Sequence, residues 1–256
     1  MSGENTLEEG EKVVGTLRSL KGMCAFIQVG SQGRVPIIAR LHRVETSAKK
    51  NEFGSMKPGD RIEAKVLRKF EEKGRTMIEL TRRPEHMKCD EGLDQSLVRL
   101  LTLDSIQNGQ EVEALVTDVV SEDIATRVSC PVQVQVSPFV RSQLLFSDIL
   151  DPQVFRSDPG SSIGGYITKS FKVGQRIKLT YSNGKFSTGG SGTAQKAKGD
   201  LVFVRFVKAI KGYGITVQLD QRTFGAIELC ELTDDVTSNV AVQAQKQGIF
   251  LARIID

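Results

Sequence analysis

A segment that starts with glycine and then alternates between apolar and polar residues occurs three times in this chain. It opens at Gly10, Gly109 and Gly199, each followed by a polar residue and an alternating run. A second glycine opens a later alternating run, at Gly59, Gly174 and Gly248. The two glycines are 49 residues apart in the first and third copies and 65 apart in the middle copy, which indicates an insertion of 16 residues. Copies of roughly 75 to 85 residues are long enough to be small domains.

The third copy shows the pattern most clearly. Val202, Val204 and Phe206 alternate with polar or opposite-face residues, residues 211–214 form a glycine-rich turn, and Ile215 begins a second alternating run. A third short run covers residues 226–229, and a fourth covers 249–255. Period-two patterning between turns is typical of half-buried antiparallel strands. The pattern therefore predicts a small all-β domain.

The other two copies follow the same plan. The strands predicted for the first copy are residues 13–20, 23–29, 34–38, 61–69 and 76–81, with an irregular basic crossing through Arg40, His42 and Arg43 after the third. No partner carboxylate or second histidine is placed for His42, so it is expected to face solvent. In the middle copy we predict strands at residues 112–116, 132–136 and 142–146 and a type I′ hairpin at residues 182–184.

These strands predict an all-β chain of three tandem five-stranded antiparallel barrels. The predicted boundaries are 9–83 for the first barrel, 105–187 for the second with a Gly/Ser/Pro-rich surface loop at 151–170, and 199–256 for the third. The composition of residues 188–198 predicts a flexible linker. The third barrel is expected to lack its last strand, as if the chain were cut from a longer array. Residues 1–8 are predicted to be disordered.

Residues 84–104 connect the first two copies. Leu93, Leu97, Leu100 and Leu101 recur there at helical spacing. This predicts a short amphipathic helix that docks on a barrel, and the alternative is a free helix that binds a partner.

The charge of the chain is unevenly distributed. Residues 1–83 carry 17 Lys and Arg against 11 Asp and Glu, a net charge of +6. Residues 84–186 have a net charge of −3, and residues 187–256 a net charge of +1. Because affinity for a phosphate backbone follows local positive charge, the first copy is the best candidate to contact nucleic acid. A surface that only keeps the protein soluble is the other interpretation.

Other classes of function find no support in the sequence. No apolar run approaches the ~18 residues of a membrane span, and the acidic start (MSGENTLEEGEK) is not a signal peptide. The four cysteines lie far apart, without a C-x-x-C motif, and are interpreted as ordinary reduced thiols. We find no paired carboxylates, metal cluster or nucleophile–base pair, so the chain is predicted to be a binding protein without catalytic activity or cofactor.

The order of turns matches the OB architecture, whose strand 2–3 face binds oligonucleotides. All three copies resemble S1-type OB repeats. In the third copy, residues 212–217 (GYGITV) resemble the aromatic second strand of S1 domains, and residues 224–232 (FGAIELCEL) resemble their third strand. In the first copy, residues 23–27 and 33–36 occupy the same places. The resemblance covers about 220 of the 256 residues.

The copies also depart from typical S1 domains. The RNA-facing histidine is replaced by Pro36, Leu145 and Glu228. One stacking aromatic remains in the first copy (Phe26) and one in the third (Tyr213), whereas the amide-rich face of the middle copy has neither. Phe26 is expected either to stack on a ligand or to pack beneath a loop. RNA binding is therefore expected to depend more on contacts between basic side chains and the RNA backbone than on base stacking.

Several phrases narrow the resemblance. Residues 79–87 (ELTRRPEHM), 136–141 (VSPFVR) and 214–219 (GITVQL) are similar to late repeats of eukaryotic multi-S1 ribosomal RNA biogenesis proteins, which carry an S1 array followed by tetratricopeptide-like repeats. This resemblance implies a nucleolar factor of the small-subunit processome that binds precursor ribosomal RNA and processome proteins. The chain by itself is expected to be monomeric.

Two functions remain open at this point, RNA binding and a protein-interaction scaffold with little RNA contact. For RNA binding the candidate residues are Lys21, Met23, Phe26, Arg34, Arg40, Arg75, Lys211, Tyr213, Thr216, Arg222 and Phe224.

Overall fold

The computed structural model describes residues 7–32, 35–47, 52–152, 162–188, 197–211, 213–232 and 240–255. Arg34, residues 153–161 of the predicted insertion and most of the predicted linker lie outside these ranges. Three sheets account for most of the regular structure, so the predicted all-β class with three tandem barrel-like sheets is confirmed.

The first sheet is a closed five-stranded barrel in the order β1-β2-β3-β5-β4. Its strands are β1 (Lys12–Lys21), β2 (Cys24–Gln32), β3 (Val35–His42), β4 (Arg61–Glu72) and β5 (Arg75–Thr81), with the short helix α1 (Glu52–Ser55) between β3 and β4. Its core is formed by inward-facing aliphatic residues such as Leu17, Ile27 and Leu80, which are almost fully buried.

One pair in this barrel is parallel, which corrects the prediction of a fully antiparallel ring. Arg40 and Leu41 of β3 pair with Glu79 and Leu80 of β5 in parallel, and the other four pairs are antiparallel. A closed ring with an odd number of strands cannot reverse direction at every neighbour, so one parallel pair is required. β3 also extends to His42, beyond the predicted end at residue 38. Arg40 and His42 of the supposed irregular crossing are therefore strand, with Ala39 and Leu41 facing the core, whereas Arg43 begins a 3-10 turn.

The second sheet has the equivalent strand order, β10-β9-β6-β7-β8. Its strands are β6 (Glu111–Val119), β7 (Val132–Gln135), β8 (Arg141–Leu144), β9 (Arg176–Ser182) and β10 (Lys185–Ser187). Near the open side, the backbone N–H and the hydroxyl of Thr188 both donate to the carbonyl of Asp148, at 3.1 and 3.0 Å, so this barrel is nearly closed. The predicted hairpin is confirmed, since Asn183 and Gly184 have φ values of 50° and 80°.

The third sheet contains β11 (Leu201–Ile210), β12 (Gly214–Gln218), β13 (Phe224–Glu228) and β14 (Ile249–Arg253), in the order β13-β12-β11-β14. This order matches β3-β2-β1-β4 of the first barrel. The third sheet has four strands within the described residues.

A repeated turn explains the glycine pattern. All six landmark glycines have positive φ, between 72° and 97°, a region that favours glycine. After five of them the side chain of the next residue accepts a hydrogen bond from the backbone N–H three residues earlier, as Asp60 does from Lys57 at 2.8 Å. The glycine, followed in five cases by a polar residue, is therefore a structural requirement of the turn before the first and fourth strands of each copy.

A helix precedes the fourth strand of each copy. These helices are α1, α6 (Ile163–Ser170) and α8 (Val240–Gln247), and each contributes a buried residue: Phe53, Ile167 and Ala244. The prediction of a surface loop over 151–170 is therefore wrong for residues 163–170. Ser162 caps α6 by accepting from the N–H of Gly165 at 2.9 Å, and Gly164 lies against the backbone of the short helix α4 (Glu122–Ala125). The glycines that suggested a loop instead allow this close approach. The shorter helices α5 (Phe146–Ile149) and α7 (Leu229–Leu232) follow the third strands of their copies.

The connector between the first two copies is not the single helix that was predicted. It contains α2 (Pro84–Lys88), α3 (Gln95–Val98) and two 3-10 turns, Arg99–Leu101 and Leu103–Ser105. Lys65 of β4 is fully buried beneath it, and its ammonium donates to the carbonyls of Cys89 and Gly92, each at 2.7 Å. The interruption between the two helices thus presents carbonyls to a buried cation.

Two compact units divide the chain. The first comprises Met1–Ser105 with Ser137–Val140, and the second comprises Ile106–Val136 with Arg141–Asp256. The second and third sheets therefore belong to one unit.

Candidate nucleic-acid interface

The outer face of β1, β2 and β3 carries the first group of candidate residues. Phe26 lies opposite Ser19 of β1 and opposite Arg40 of β3, and Arg40 in turn lies opposite Glu79 of β5. The neighbours Ala25 and Ile27 of Phe26 are fully buried in the core. Because strand side chains alternate, Phe26 and Arg40 lie side by side on the outside of the barrel. Phe26 is half-buried there.

Basic residues lie at both ends of this face. Lys21 is exposed at the end of β1 and Met23 is half-buried in the following turn. Arg75 is exposed at the start of β5, four residues before Glu79 and on the same side of the strand. At about 3.3 Å per residue, this places Arg75 roughly 13 Å from the Phe26–Arg40 row. Arg34 lies outside the described residues.

Arg18 belongs to this face as well, although the sequence did not identify it. The register of β1 against β2 shifts between Leu17 and Ser19, so Arg18 is the extra residue of a β-bulge. Its guanidinium donates to the side-chain oxygen of Gln28, with Nε at 2.8 Å. A bulge breaks the period of two, so strict alternation could not assign the side of Arg18. The same shift occurs eight residues after the first glycine in each copy, at Thr117 and Val207.

Arg40 is held by a buried carboxylate. Its Nε donates to Oε1 of Glu79, which is 1% exposed. Oε2 of Glu79 has no hydrogen-bond partner among the described residues. Burial raises the pKa of Glu79 to about 7, with Arg40 opposing the rise and Glu45 and Glu72 adding to it. Arg40 is therefore a positioned cation whose charge is partly compensated by Glu79 near neutral pH.

The second group lies on the outer face of the third sheet. Thr216 of β12 lies between Lys208 of β11 and Ala226 of β13, at the place that Phe26 has in the first barrel. The most exposed aromatic residues are Tyr213, 76% exposed in the turn before β12, and Phe224, 55% exposed at the start of β13. Lys211 and Arg222 are exposed in the turns beside them.

Part of this third face is covered within the second unit. The Nε and Nη2 atoms of Arg205 donate to Oε1 of Gln218, at 3.0 and 2.9 Å. Ser129, from the segment before β7, donates to the same oxygen at 3.2 Å. Gln218 is consequently 7% exposed. The end of the face that carries Tyr213 is open.

The strand register corrects the position assigned to the S1 histidine in the first copy. Glu228 pairs with Gly214, and the equivalent pair in the first barrel is His42 with Cys24. His42, and not Pro36, is therefore the counterpart of Glu228. The expectation that His42 faces solvent is also wrong, because it is 3% exposed and its Nδ1 accepts from the N–H of Val44 at 3.1 Å. The sequence repeat did not show this because the β2–β3 hairpin is longer in the first copy than in the third.

The middle sheet carries different chemistry on its outer face. The row equivalent to Ser19, Phe26 and Arg40 consists of Asp118, Gln133 and Gln143. It has a carboxylate and two amides where the first barrel has an aromatic ring and a guanidinium. The predicted amide-rich face is present, although Gln135 in the next row is buried.

Among the described residues, three other features are absent: a metal-ligand cluster, a disulfide and a membrane-spanning helix. They contain no group of three or more His, Cys, Asp or Glu side chains placed to hold a metal ion. All four cysteines are free thiols. No helix in the described part of the chain has the length and apolar character needed to cross a membrane.

Comparison with known proteins gives only distant structural likenesses. No family model and no curated protein matches the chain. The archaeal a/eIF2alpha–aDim2p–rRNA complex from Pyrococcus horikoshii is similar at 30% identity over 30% of this chain and 45% of the matched chain, with a TM-score of 0.26. An uncharacterized protein from Methanocaldococcus jannaschii is similar at 20% identity over 30% of this chain and 95% of its own, with a TM-score of 0.25. A putative exosome complex RNA-binding protein is similar at 20% identity over 55% of this chain and 74% of its own, with a TM-score of 0.24. The fold assignment rests on the strand order of the chain itself.

Proposed function

We propose that this chain binds single-stranded RNA along the outer faces of its first and third barrels. The observation that carries this proposal is the row of Phe26 and Arg40 on the β2–β3 face, with Lys21, Arg18 and Arg75 around it. An aromatic ring beside cations provides a surface on which a base stacks while phosphates are neutralised. The third barrel offers a related surface through Tyr213, Phe224 and Lys211.

We further propose that the RNA is precursor ribosomal RNA and that the chain acts as a non-catalytic segment of a nucleolar ribosome-biogenesis factor. The resemblance of its three copies to late repeats of multi-S1 proteins supports this assignment. The middle copy, with its acidic and amide-rich row, then serves as a spacer or as a contact for processome proteins.

Binding of the whole chain to a single-stranded RNA over a series of salt concentrations tests RNA binding. The logarithm of the binding constant should fall linearly with the logarithm of salt concentration, by about 0.7 for each phosphate neutralised. Lys21→Ala should reduce the slope by about this amount because Lys21 is exposed and makes no ion pair within the described residues. A binding constant independent of salt, or no binding, would refute the proposal.

A protein-interaction scaffold is the second candidate, favoured by apolar side chains of the middle copy. Ile124 is 47% exposed and Val173 is 55% exposed. Affinity capture from a nucleolar extract, with and without nuclease, separates the two functions. Partners that survive nuclease support the scaffold, and partners that are lost with it support RNA binding.

A further inference from the structure

One end of the β12–β13 pair in the third sheet carries an exposed ring, Tyr213, and an exposed carboxylate, Glu228. Gly214 lies in register between Ile210 of β11 and Glu228 of β13. Tyr213, the residue before it, is 76% exposed, and Ile210 is 38% exposed. Glu228 is exposed at the end of its strand.

Gly214 allows β12 and β13 to approach closely, because no other residue fits at this position. A Cβ at Gly214 would lie 2.0 Å from the carbonyl oxygen of Ile227, and the φ of this glycine is 151°. Every residue except glycine would therefore force the two strands apart. Glu228 is therefore held beside the residue that follows Tyr213 in the chain.

The carboxylate of Glu228 forms no ion pair within the described residues. Its Oε2 accepts a hydrogen bond from Sγ of Cys230 at 3.8 Å, and a thiol is a weak donor. The surrounding face carries Lys208, Lys211 and Arg222. A free carboxylate on such a face repels phosphate, so it favours RNA binding only where it accepts hydrogen bonds from a base.

Only one of the four bases presents the pair of hydrogen-bond donors that a carboxylate can accept. An ionised carboxylate has two acceptor oxygens and no donor. On the Watson–Crick edge, guanine alone presents two adjacent donors, N1–H and the N2 amino group. Uracil has one donor between two carbonyls, and adenine and cytosine place an acceptor nitrogen beside their amino group. Two parallel charge-assisted hydrogen bonds therefore form only with guanine.

We propose that the third barrel selects guanine, with the base stacked on Tyr213 and its Watson–Crick edge held by Glu228. This inference rests on the proposed RNA-binding function and adds nucleotide specificity to it. Glu228 is a specificity-determining residue, and Tyr213 supplies sequence-tolerant stacking.

Fluorescence anisotropy with the whole chain tests the inference. The probes are oligouridines of about ten nucleotides, within the site size of OB folds, that carry one central guanosine, inosine, adenosine or uridine. The guanosine probe should bind roughly tenfold tighter than the uridine probe, since a bidentate base contact discriminates by about 1–3 kcal/mol. Inosine, which lacks the N2 amino group, should fall between them.

Two variants distinguish recognition of guanine by Glu228 from simple repulsion of phosphate by its negative charge. Glu228→Gln should abolish the preference for guanosine, while the uridine probe should bind with the same or slightly higher affinity because a repulsive charge is removed. Since the substitution changes only the third barrel, a lost preference is assigned to that barrel. Glu231→Gln, an exposed carboxylate in α7, is the matched control and should keep the preference. If Glu228→Gln instead tightens binding to every probe by one factor, the carboxylate only repels phosphate and the inference fails. Wild-type binding without a guanosine preference would also overturn it and leave RNA binding intact, whereas no binding to any probe would refute the proposed function itself.

Discussion

Phe26 is the residue on which RNA binding by the first barrel depends most directly. It lies on the outer face between Ser19 and Arg40 and is half-buried there. Both interpretations of this residue, stacking on a ligand or packing beneath a loop, were open from the sequence. The strand register places Phe26 on the outer face of the barrel, and the following substitution tests whether a base stacks on it.

Phe26→Ala should weaken RNA binding by about 1–3 kcal/mol, the contribution of one stacked base. This corresponds to a roughly 5- to 150-fold loss of affinity. Gln133→Ala changes the equivalent position of the middle sheet and should have little effect. Combining Phe26→Ala with Arg34→Ala should weaken binding more than any pair of changes in the middle copy. Equal losses from the first and middle copies would contradict the assignment.

Glu79 should give the first barrel a pH-dependent stability. Its folded pKa of about 7 exceeds the unfolded value of 4.5, so the folded state keeps a proton that the unfolded state has lost. The free energy of unfolding should therefore fall as pH rises from 4.5 through 7. Urea denaturation at several pH values measures this.

Glu79→Gln is the control for that dependence, since its amide oxygen still accepts from Arg40. The fall in stability toward pH 8 should be smaller in this variant. Burial lowers the pKa of His86, which acts in the opposite direction at acidic pH and is unchanged by the substitution. Parallel stability curves for the two proteins would show that Glu79 is ionised throughout. Arg40→Ala is unsuitable for binding tests because it leaves a buried carboxylate without its cation.

At the scale of elements, the turn before the first and fourth strands of each copy explains the repeat better than the strands themselves do. Gly109 has a φ of 82° with open space around its missing side chain, so a substitution there is strained by the backbone alone. Gly109→Ala should lower the free energy of unfolding by about 1–2 kcal/mol. Chemical denaturation measures the loss.

Gly30→Ala is the matched change for that experiment. The added methyl would meet its nearest neighbour, Cδ1 of Ile37, at 3.9 Å, and no positive φ is required. It should leave stability nearly unchanged or raise it slightly. Equal losses from both glycines would mean that the turn conformation is not what the repeat preserves.

The connector is fixed to the first barrel by Lys65. Lys65→Met keeps the length of the side chain but removes both hydrogen bonds to the carbonyls of Cys89 and Gly92. The expected loss of stability is about 1–3 kcal/mol. Amide hydrogen exchange should also become faster in residues 84–105. Unchanged exchange in that segment would show that other contacts hold the connector.

The sequence predicted most strands because their period of two is a local signal. The prediction from sequence was wrong where the structure of a segment depends on contacts with residues far away in the chain. Arg40 and His42 looked like an irregular basic segment, yet pairing with β5 makes them strand. Residues 163–170 looked like a loop because they contain two adjacent glycines, yet close packing against α4 requires a glycine. The side taken by Arg18 depends on a bulge that alternation cannot show.

At the scale of the whole molecule, the three copies share one architecture and differ in what their outer faces carry. The first has a ring beside cations, the third has exposed rings beside a carboxylate, and the middle one has amides and a carboxylate. From the sequence, the net charges of the segments rank the first copy as the best candidate to contact nucleic acid and the middle copy as the worst. The proposed guanine site could not be predicted from the sequence, because it depends on the pairing of Gly214 with Glu228.

Photocrosslinking tests the central claim most directly. The whole chain would be irradiated with a single-stranded RNA that contains 4-thiouridine, and the crosslinked peptides would be mapped by mass spectrometry. The account predicts crosslinks at Phe26 in the first barrel and at Tyr213 and Phe224 in the third. Crosslinks concentrated on the row of Asp118, Gln133 and Gln143, or spread without preference over all three copies, would contradict it.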